Sequence, residues 1–599
     1  MISLRAPKLG PIIGETTDTT CRIWIRAQDP DDADDRLNSS RRTVGVIGIV
    51  ENADDLQKPR IGDAWYFRLP REFDRTGTFK LGFDVELGRY RDDARRERLV
   101  AGRARRAEAG RPLKPDTPYV VRLGTLTLDD PLPDEANLPD WKLRDRLPDI
   151  DKIKGELLEL PAAASEARFR TFPVARRIVE KMSFLLGSCR YPANVLTIFH
   201  TKQADEIYGG MLQHFADDGR WGPRAQFTMM CGDQIYADQA QMFPIGKADT
   251  YREFQERYHE AFGAPNLRKL LRTSTTYMTL DDHEIEDNWT QDRLSNEHQL
   301  FNIAIQAYLN YQWSHGPRTW GLSLYYTFEC CGYPFFVLDT RTQRFKDDET
   351  GLQDNHLLGP PTIDPAHLGQ LEQLKLWLTE QQTKRGNVPK FIVTSSVFVP
   401  NPINERVQPV PSDSPSSADP AKPEEALIYF ANQKRREKSD SWPAFPATRL
   451  ELLKHIVDGK IQNVVFLAGD VHCSNVAVME FEYQDGNRTK TLPLKAFSIT
   501  SSAFYWPFPF ADGNPNSLVH NSRAPDQWDP FPIVGTGVTM HYESFGYTQE
   551  DNFTRIDIDQ KAHTLRVSVF DDEGEPVTIT EGTRKKTLVN VLQLADWAT

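Results

Sequence analysis

A chain of 599 residues is too long for one ordinary hydrophobic core, so at least two domains are expected. Hydrophobic residues at 39%, aromatics at 11% and charged residues at 26% exclude a disordered or fibrous protein. A formal net charge of -13 argues against a general footprint for phosphate polymers or anionic membranes. No nucleic-acid surface is therefore expected, and an anionic partner has to be held by local charges such as metal ions and a few arginines.

The first stretch alternates turn-rich polar segments with β-prone runs. These are CRIWIRA (Cys21 to Ala27), RTVGVIGIV (Arg42 to Val50), AWYFRLP (Ala64 to Pro70) and PYVVRLGTLTL (Pro118 to Leu128). That spacing predicts a β-sandwich of immunoglobulin or fibronectin type over residues 1–178. The segment from Arg89 to Gly110 is rich in Arg and Ala and reads as a solvated insertion. After EARFRTFP (Glu166 to Pro173), short apolar runs alternate with segments of helical period, which predicts an α/β domain over 179–580. Those runs are FLLGS, FTMMCG, TTYMTL, YTFECCGYPFFVLD, KFIVTSSVFV and NVVFLAG, and several end in a polar or ionisable residue. Open α/β sheets collect their ligands at such strand ends. Residues 399–426, rich in Pro and Ser, predict a long surface loop. RIDIDQKAHTLRVSVFDD predicts a β-hairpin, and residues 581–599 a terminal appendage.

Six irregularly spaced cysteines suit neither a disulfide scaffold nor paired zinc knuckles. The opening MISLRAPKLGPIIGETT has no charged region followed by an apolar run, and no stretch reaches bilayer-spanning length. A cytoplasmic protein with no membrane span is expected.

Four clusters follow predicted strands: GSCRYP (Gly187 to Pro192), GDQIYAD (Gly232 to Asp238), LDDHEIEDNW (Leu280 to Trp289) and LAGDVHCS (Leu467 to Ser474). A carboxylate at a strand end can bridge two cations, which makes Asp233 the candidate bridge. Tyr236 alone would read as a packed, hydrogen-bonded ring. Beside Asp233 it reads as a ligand. Cys189 alone would read as a small buried hydrophobe. The Gly-Ser before it and Arg190 after it favour ligation. A thiolate and a phenolate on one ion favour trivalent iron or zinc. Asp282 is a candidate ligand, and His283 a candidate proton donor to a leaving oxygen, with Glu284 and Asp287 as partners that fix its ring. Asp470 and His472 alternate along an extended backbone and can face one site. Arg341 and Arg344, after another strand, offer guanidinium forks that match phosphate oxygens.

Together the clusters resemble the PhoD-type alkaline phosphatases, a branch of the calcineurin-like metallophosphoesterases. The order GSC, GDQIY, DDHE, GDVH covers roughly residues 180–575, with LDTR, TSS (Thr394 to Ser396) and DSW (Asp440 to Trp442) between them. The resemblance implies a four-layer α/β/β/α sandwich preceded by the β-sandwich domain. It implies that Cys189, Asp233 and Tyr236 hold one ion, that Asp233 reaches a second, and that Asp282, Asp470 and His472 complete the pair. Iron (Fe3+) with calcium is the implied metal content, with zinc or manganese as substitutes. The implied reaction is hydrolysis of a small-molecule phosphate monoester by in-line attack of a metal-bound hydroxide, with Arg190 or Arg341 on the equatorial oxygens and His283 on the leaving group. Exported relatives carry a twin-arginine leader, so a periplasmic or secreted protein whose leader was removed is the alternative to a cytoplasmic one. Two rival functions stay open: a phosphodiesterase, phospholipase D-like or phosphotriesterase activity on the same metals, and a binding protein with a vestigial metal site.

Overall fold

The computed structural model describes residues 4–597 apart from 30–41, 53–58, 83–111, 129–142, 144, 192–199, 217–218, 239–245, 320–322, 347–354, 363–367, 403–438, 509–517, 525–526 and 582–583. The expected insertion at Arg89 to Gly110 and nearly all of the loop expected at 399–426 lie outside the described residues.

The N-terminal part carries strands β1 (Leu4–Arg5), β2 (Leu9–Thr16), β3 (Thr20–Arg26), β4 (Thr43–Glu51), β5 (Arg60–Leu69), β6 (Thr76–Gly82), β7 (Pro118–Thr127) and β8 (Glu166–Arg170). They form a three-stranded sheet, β2-β3-β6, and a five-stranded sheet, β1-β7-β4-β5 with β8 on β7. Ile13, Ile23 and Ile25 from the smaller sheet and Ile47, Val121 and Phe169 from the larger share one apolar cluster. Helix α1 (Ile150–Glu159) brings Ile153 and Leu157 to Val44, Val46 and Leu126, so part of the larger sheet's other face is covered as well.

Beyond residue 178 come β9 (Lys181–Gly187), α2 (His200–Gln213), β10 (Phe227–Met230), α3 (Tyr251–Gly263), α4 (Pro265–Leu271), β11 (Thr275–Met278) and α5 (Leu294–Tyr311). They are followed by β12 (Tyr326–Cys330), β13 (Tyr333–Val337), α6 (Gln370–Arg385), β14 (Lys390–Val393), α7 (Pro446–Asp458) and β15 (Val464–Ala468). The last strands are β16 (Ser474–Asp485), β17 (Arg488–Thr491), β18 (Ala496–Thr500), β19 (Phe531–Ile533), β20 (Val538–Thr548), β21 (Phe553–Asp559), β22 (Thr564–Phe570), β23 (Thr578–Glu581), β24 (Arg584–Thr587) and β25 (Val589–Gln593). One mixed sheet runs β11-β10-β9-β21-β22-β25, and the other β12-β13-β14-β15-β18-β16-β20-β19 with β17 on β16. Strands β9 to β11 are mutually parallel, as are β13, β14, β15 and β18.

Side-chain alternation explains why these strands read as unbroken apolar runs. In β9, Met182, Phe184 and Leu186 enter a cluster shared with Phe335, Phe391, Val465 and Leu467 of the other sheet. Leu185 points the opposite way, into a cluster with residues of α2, α3, α4 and α5. In the second sheet Ile392 and Phe466 turn outward to meet Leu374 and Leu378 of α6 and Leu452 and Ile456 of α7. A strand buried on both faces has no polar side to expose. The terminal strand β25 pairs with β22, so the last residues complete a sheet edge.

Apolar packing also continues across the boundary expected near residue 178. Leu9, Ile12 and Trp24 join the cluster of α2 to α5. Trp24 Nε1 donates to the Asn310 carbonyl at 2.8 Å. Asp74 accepts from Arg26 through both carboxylate oxygens, at 2.6 and 2.8 Å, and also contacts His259 of α3 and Tyr311 of α5. No helix among the described residues is long and apolar enough to cross a membrane.

Phe184 sits between the large sheets, its ring 4.9 Å from Phe227 and 5.5 Å from both Phe335 and Phe391. Phe184→Ala is expected to cost about 3–5 kcal/mol, because a cavity there cannot collapse between two hydrogen-bonded sheets. A denaturant midpoint shifted by less than the equivalent of about 1 kcal/mol would contradict that packing.

Candidate metal centre

The candidate ligands lie just beyond the C-terminal ends of parallel strands: Cys189 after β9, Asp233 after β10, Asp282 after β11, and Asp470 and His472 after β15. Strand ends from both sheets therefore meet at one edge. Local backbone shape then turns the side chains inward. Cys189 (φ 57°), Asp233 (φ 56°), Asp470 (φ 77°) and His472 (φ 50°) all occupy the left-handed region. Such conformations cost of order 1–3 kcal/mol each and persist only where the surroundings fix them. Gly232 (φ 99°) precedes Asp233, and a Cβ there would come within 2.3 Å of Asp281 Cβ, so only glycine lets the two ligand loops approach.

Cys189, Asp233 and His472 bring one donor atom each to within 4.8 Å of one another. Asp233 also groups in this way with Asp282 and His283, and Asp282 with Asp281 and Asp470. The Cys189 thiol and the Tyr236 hydroxyl both donate to Asp233 Oδ2, each at 3.4 Å, and Tyr236 Oη lies 3.2 Å from His472 Nε2. The six residues expected as ligands thus converge. Their grouping differs from the expected one, because His472 joins Cys189 and Asp233, while Asp281 stands beside Asp282 and Asp470.

Glu284 is buried and binds backbone. Its carboxylate accepts from the amides of Asp233 (3.1 Å), Gln234 (2.7 Å) and Asp281 (2.9 Å), and from Gln312 Nε2 (3.0 Å). Burial raises its pKa to about 7 despite those donors. It holds the two ligand loops together, whereas the sequence suggested that it fixes the histidine. The ring of His283 is fixed by Asp238, with Nδ1 2.7 Å from Oδ1, and Asp287 Oδ1 lies 3.9 Å from Nε2. Burial opposes charge on His283, but Asp238, Asp282 and Asp233 outweigh it and raise its pKa well above the usual range.

The arginines singled out for phosphate, Arg190, Arg341 and Arg344, are all buried. Arg341 is fully buried, with Nε 2.5 Å from Asp281, Nη1 2.6 Å from Asp440, and Nη2 3.5 Å from both Asp282 and Asp470. This guanidinium lies among four carboxylates, and its Nη2, on the side of Asp282 and Asp470, makes no hydrogen bond among the described residues. Arg344 is likewise buried, pairs with Asp440 and lies over Phe445. Arg190 gives Nε to the Ala204 carbonyl of α2 at 3.4 Å and lines a small cleft with Gln234, Tyr236, Arg257 and Glu260.

These donors fit cations on the structure's own terms. Asp233 is buried, and among the described residues its Oδ1 has no hydrogen-bond partner. Burial raises its pKa well above the carboxylate range, and Asp282, Asp281 and Glu284 add to this against the opposing charge of His283. Burial first, then Asp233, drives the Cys189 thiol up as well. An anionic cluster that takes up protons so readily is one that a cation relieves. The sequence pointed to the loops that converge here but not to Asp281, Asp238 or Asp440 as participants. GDQIYAD, DDHE and DSW contain all three, yet only the fold shows which acid faces which partner.

The family described as PhoD-like phosphatase matches residues 202–528. "Alkaline phosphatase D" of Bacillus subtilis (strain 168) is 22% identical over 328 residues, covering 53% of this chain and 50% of that protein. The chain thus spans about half the length of this curated relative. A solved structure, "Structure of PhoD", shares the fold with a TM-score of 0.58 at 16% identity, over 98% of this chain and 91% of that one.

Arg341→Met leaves buried carboxylates without their counter-ion and is expected to destabilise the protein by about 3–5 kcal/mol. Arg341→Lys is expected to rescue it poorly, since one ammonium cannot reach along three directions. Thermal unfolding of both variants checks this, and a lysine variant as stable as the parent would remove the case for a planar fork.

Proposed function

The chain belongs to the PhoD-like phosphatase family, and from that membership we propose that it hydrolyses phosphate monoesters at the centre formed by Cys189, Asp233, Tyr236, Asp282, Asp470 and His472. The observation that carries this reading is the position of Asp233, whose carboxylate belongs both to the group with Cys189 and His472 and to the group with Asp282 and His283. A shared carboxylate between two donor sets is what a two-cation phosphoesterase requires.

The thiol, phenol and imidazole of Cys189, Tyr236 and His472 suit trivalent iron, and the oxygen-rich side at Asp282 and Asp470 suits calcium. Zinc or manganese are the substitutes. When bound, such cations lower the pKa of a water molecule and offset phosphoryl charge. The chain's own residues supply the rest. Asp233 spans the two donor sets, and Glu284 keeps its loop in register with that of Asp282. His283 holds a proton at Nε2 for the departing oxygen, because Nδ1 faces Asp238. Asp238 belongs to neither donor group, so its pull on that proton persists when cations engage Asp233 and Asp282. Arg190 is assigned to the phosphoryl oxygens, since its cleft adjoins Tyr236. Arg341 serves as the brace of the carboxylates.

We read residues 179–580 as a four-layer α/β/β/α catalytic domain, supported by the cluster between the two large sheets and the helices outside each of them. Residues 1–178 read as a β-sandwich domain with α1 added to one face. The pairing of β25 with β22 supports extending the catalytic domain to the end of that strand.

Metal analysis of protein purified without chelator, combined with nitrophenyl mono-, di- and triesters, tests the reading. Bound transition metal and a preference for the monoester are expected. A far faster diester would replace the monoesterase assignment with a diesterase one, and metal-free protein without turnover would favour a binding protein. Asp233→Asn is expected to keep the fold and lose turnover together with bound metal, and full activity would remove Asp233 from the mechanism. His283→Asn is expected to lower kcat by about 10²–10⁴ on ethyl phosphate and by much less on 4-nitrophenyl phosphate, whose leaving group needs no proton. Equal losses on the two esters would end the assignment of His283 as the acid.

A further inference from the structure

Beside the donor cluster stands a set of aromatic rings that ligation does not account for. Tyr191 follows Arg190, and its ring lies edge-on to Tyr236 at 5.1 Å, to Trp506 at 5.3 Å and to Phe508 at 5.3 Å. Trp506 and Phe508 come from the segment after β18, with their rings 4.9 Å apart. Trp506 also stacks on the imidazole of His472, with centroids 3.4 Å apart and planes 9° apart. Tyr236 stacks in turn on His283 at 4.2 Å. Rings therefore run without a break from Phe508, which is 37% exposed, to the proton-bearing histidine.

This is not ordinary core packing. Tyr191 and Trp506 are only partly buried, and Phe508 is one of few large apolar side chains that the described residues expose. Trp506 has a structural use, since it covers His472. Tyr191 and Phe508 extend the aromatic surface outward to solvent. Tyr191 is one ring removed from His283, through Tyr236, so the inner end of the surface adjoins the histidine assigned to the leaving oxygen.

We propose that Tyr191, Trp506 and Phe508 form the leaving-group subsite and select phosphate esters whose alcohol carries a planar aromatic ring, such as a phenol or a base-bearing sugar. This rests on the hydrolytic reading of the centre. The water oxygen bonds to phosphorus and the ester P–O bond breaks. His283 gives its proton to the departing alcohol, and the proton of the attacking water passes to solvent. A planar ring meets the edges and faces of the three side chains with both area and quadrupole complementarity, whereas a short alkyl group offers neither.

Calorimetry with phenylphosphonate and ethylphosphonate, at a pH alkaline enough for both to be dianions and neither hydrolysed, tests the subsite on the full chain as purified. The parent is expected to bind the phenyl compound about tenfold more tightly. Phe508→Ala and Phe508→Leu are both expected to shrink that preference to threefold or less, and the kcat/KM ratio of phenyl to ethyl phosphate is expected to fall in step. No preference in the parent, or an undiminished preference in Phe508→Ala, would overturn the proposal. So would decylphosphonate binding more tightly than phenylphosphonate with Phe508→Leu unaffected, which would assign the surface to an alkyl chain. Preferential phenylphosphonate binding by a parent that hydrolyses no ester would sink the hydrolytic reading and spare the ring-binding surface. Hydrolysis without that preference would sink the subsite alone.

Discussion

Negative charge held out of water is the constraint on which this architecture depends. Asp233, Asp281 and Asp282 are buried, and Asp281, Asp282 and Asp470 bring oxygens within 4.8 Å of one another. At an effective dielectric of about 20, two such charges repel by roughly 3–4 kcal/mol. One guanidinium, that of Arg341, lies among them, and Asp281, Asp282 and Asp470 outweigh the burial that would otherwise suppress its charge. Arg344 stands beside it, and burial together with the Arg341 charge lowers its own pKa to about 9. The remaining deficit falls on protons or cations, which is why burial and neighbouring acids drive Asp233 upward while Arg341 and His283 overcome burial and hold Asp282 down.

Such a cluster is stable only if its carriers cannot move apart. Left-handed backbone at Cys189, Asp233, Asp470 and His472 turns each loop sharply as it leaves its strand. Glu284 ties the Asp233 and Asp281 amides to one carboxylate, and Asp282 Oδ2 accepts from the Asn288 amide at 2.6 Å. His472 is anchored from the neighbouring strand of its own sheet, its amide donating to Ser502 Oγ, just after β18, at 3.2 Å. Parallel strands from both sheets end here, so their hydrogen-bond ladders set the spacing of these loops.

The N-terminal sheets take part in that bracing. Asp74 receives Arg26 from its own part of the chain and Tyr311 and His259 from helices α5 and α3. Tyr311 stacks on Tyr258 at 4.7 Å, Tyr258 Oη accepts from Gln312 at 3.1 Å, and Gln312 donates to Glu284. A continuous set of packed, hydrogen-bonded side chains thus links the first sheets to the carboxylate that orders the ligand loops. Burial within that set works against ionisation of Asp74, and His259 and Arg26 more than compensate, holding it below the usual carboxylate range.

What the sequence determined by itself is the inventory. Apolar runs closed by GSC, GDQIY, DDHE and GDVH mark strands buried on both faces with donors at their ends, because a doubly buried strand has no polar positions until it leaves the sheet. Those signals are local, and they located all six candidate ligands. Partnership is not local. That Asp238 rather than Glu284 or Asp287 orients His283, that Arg341 lies among four acids, and that Trp506 covers His472 all depend on strand ends from separate sheets meeting across tens to hundreds of residues. Only tertiary structure decides such pairings, because side-chain electrostatics depends on distance and burial in space, and neither is set by separation along the chain.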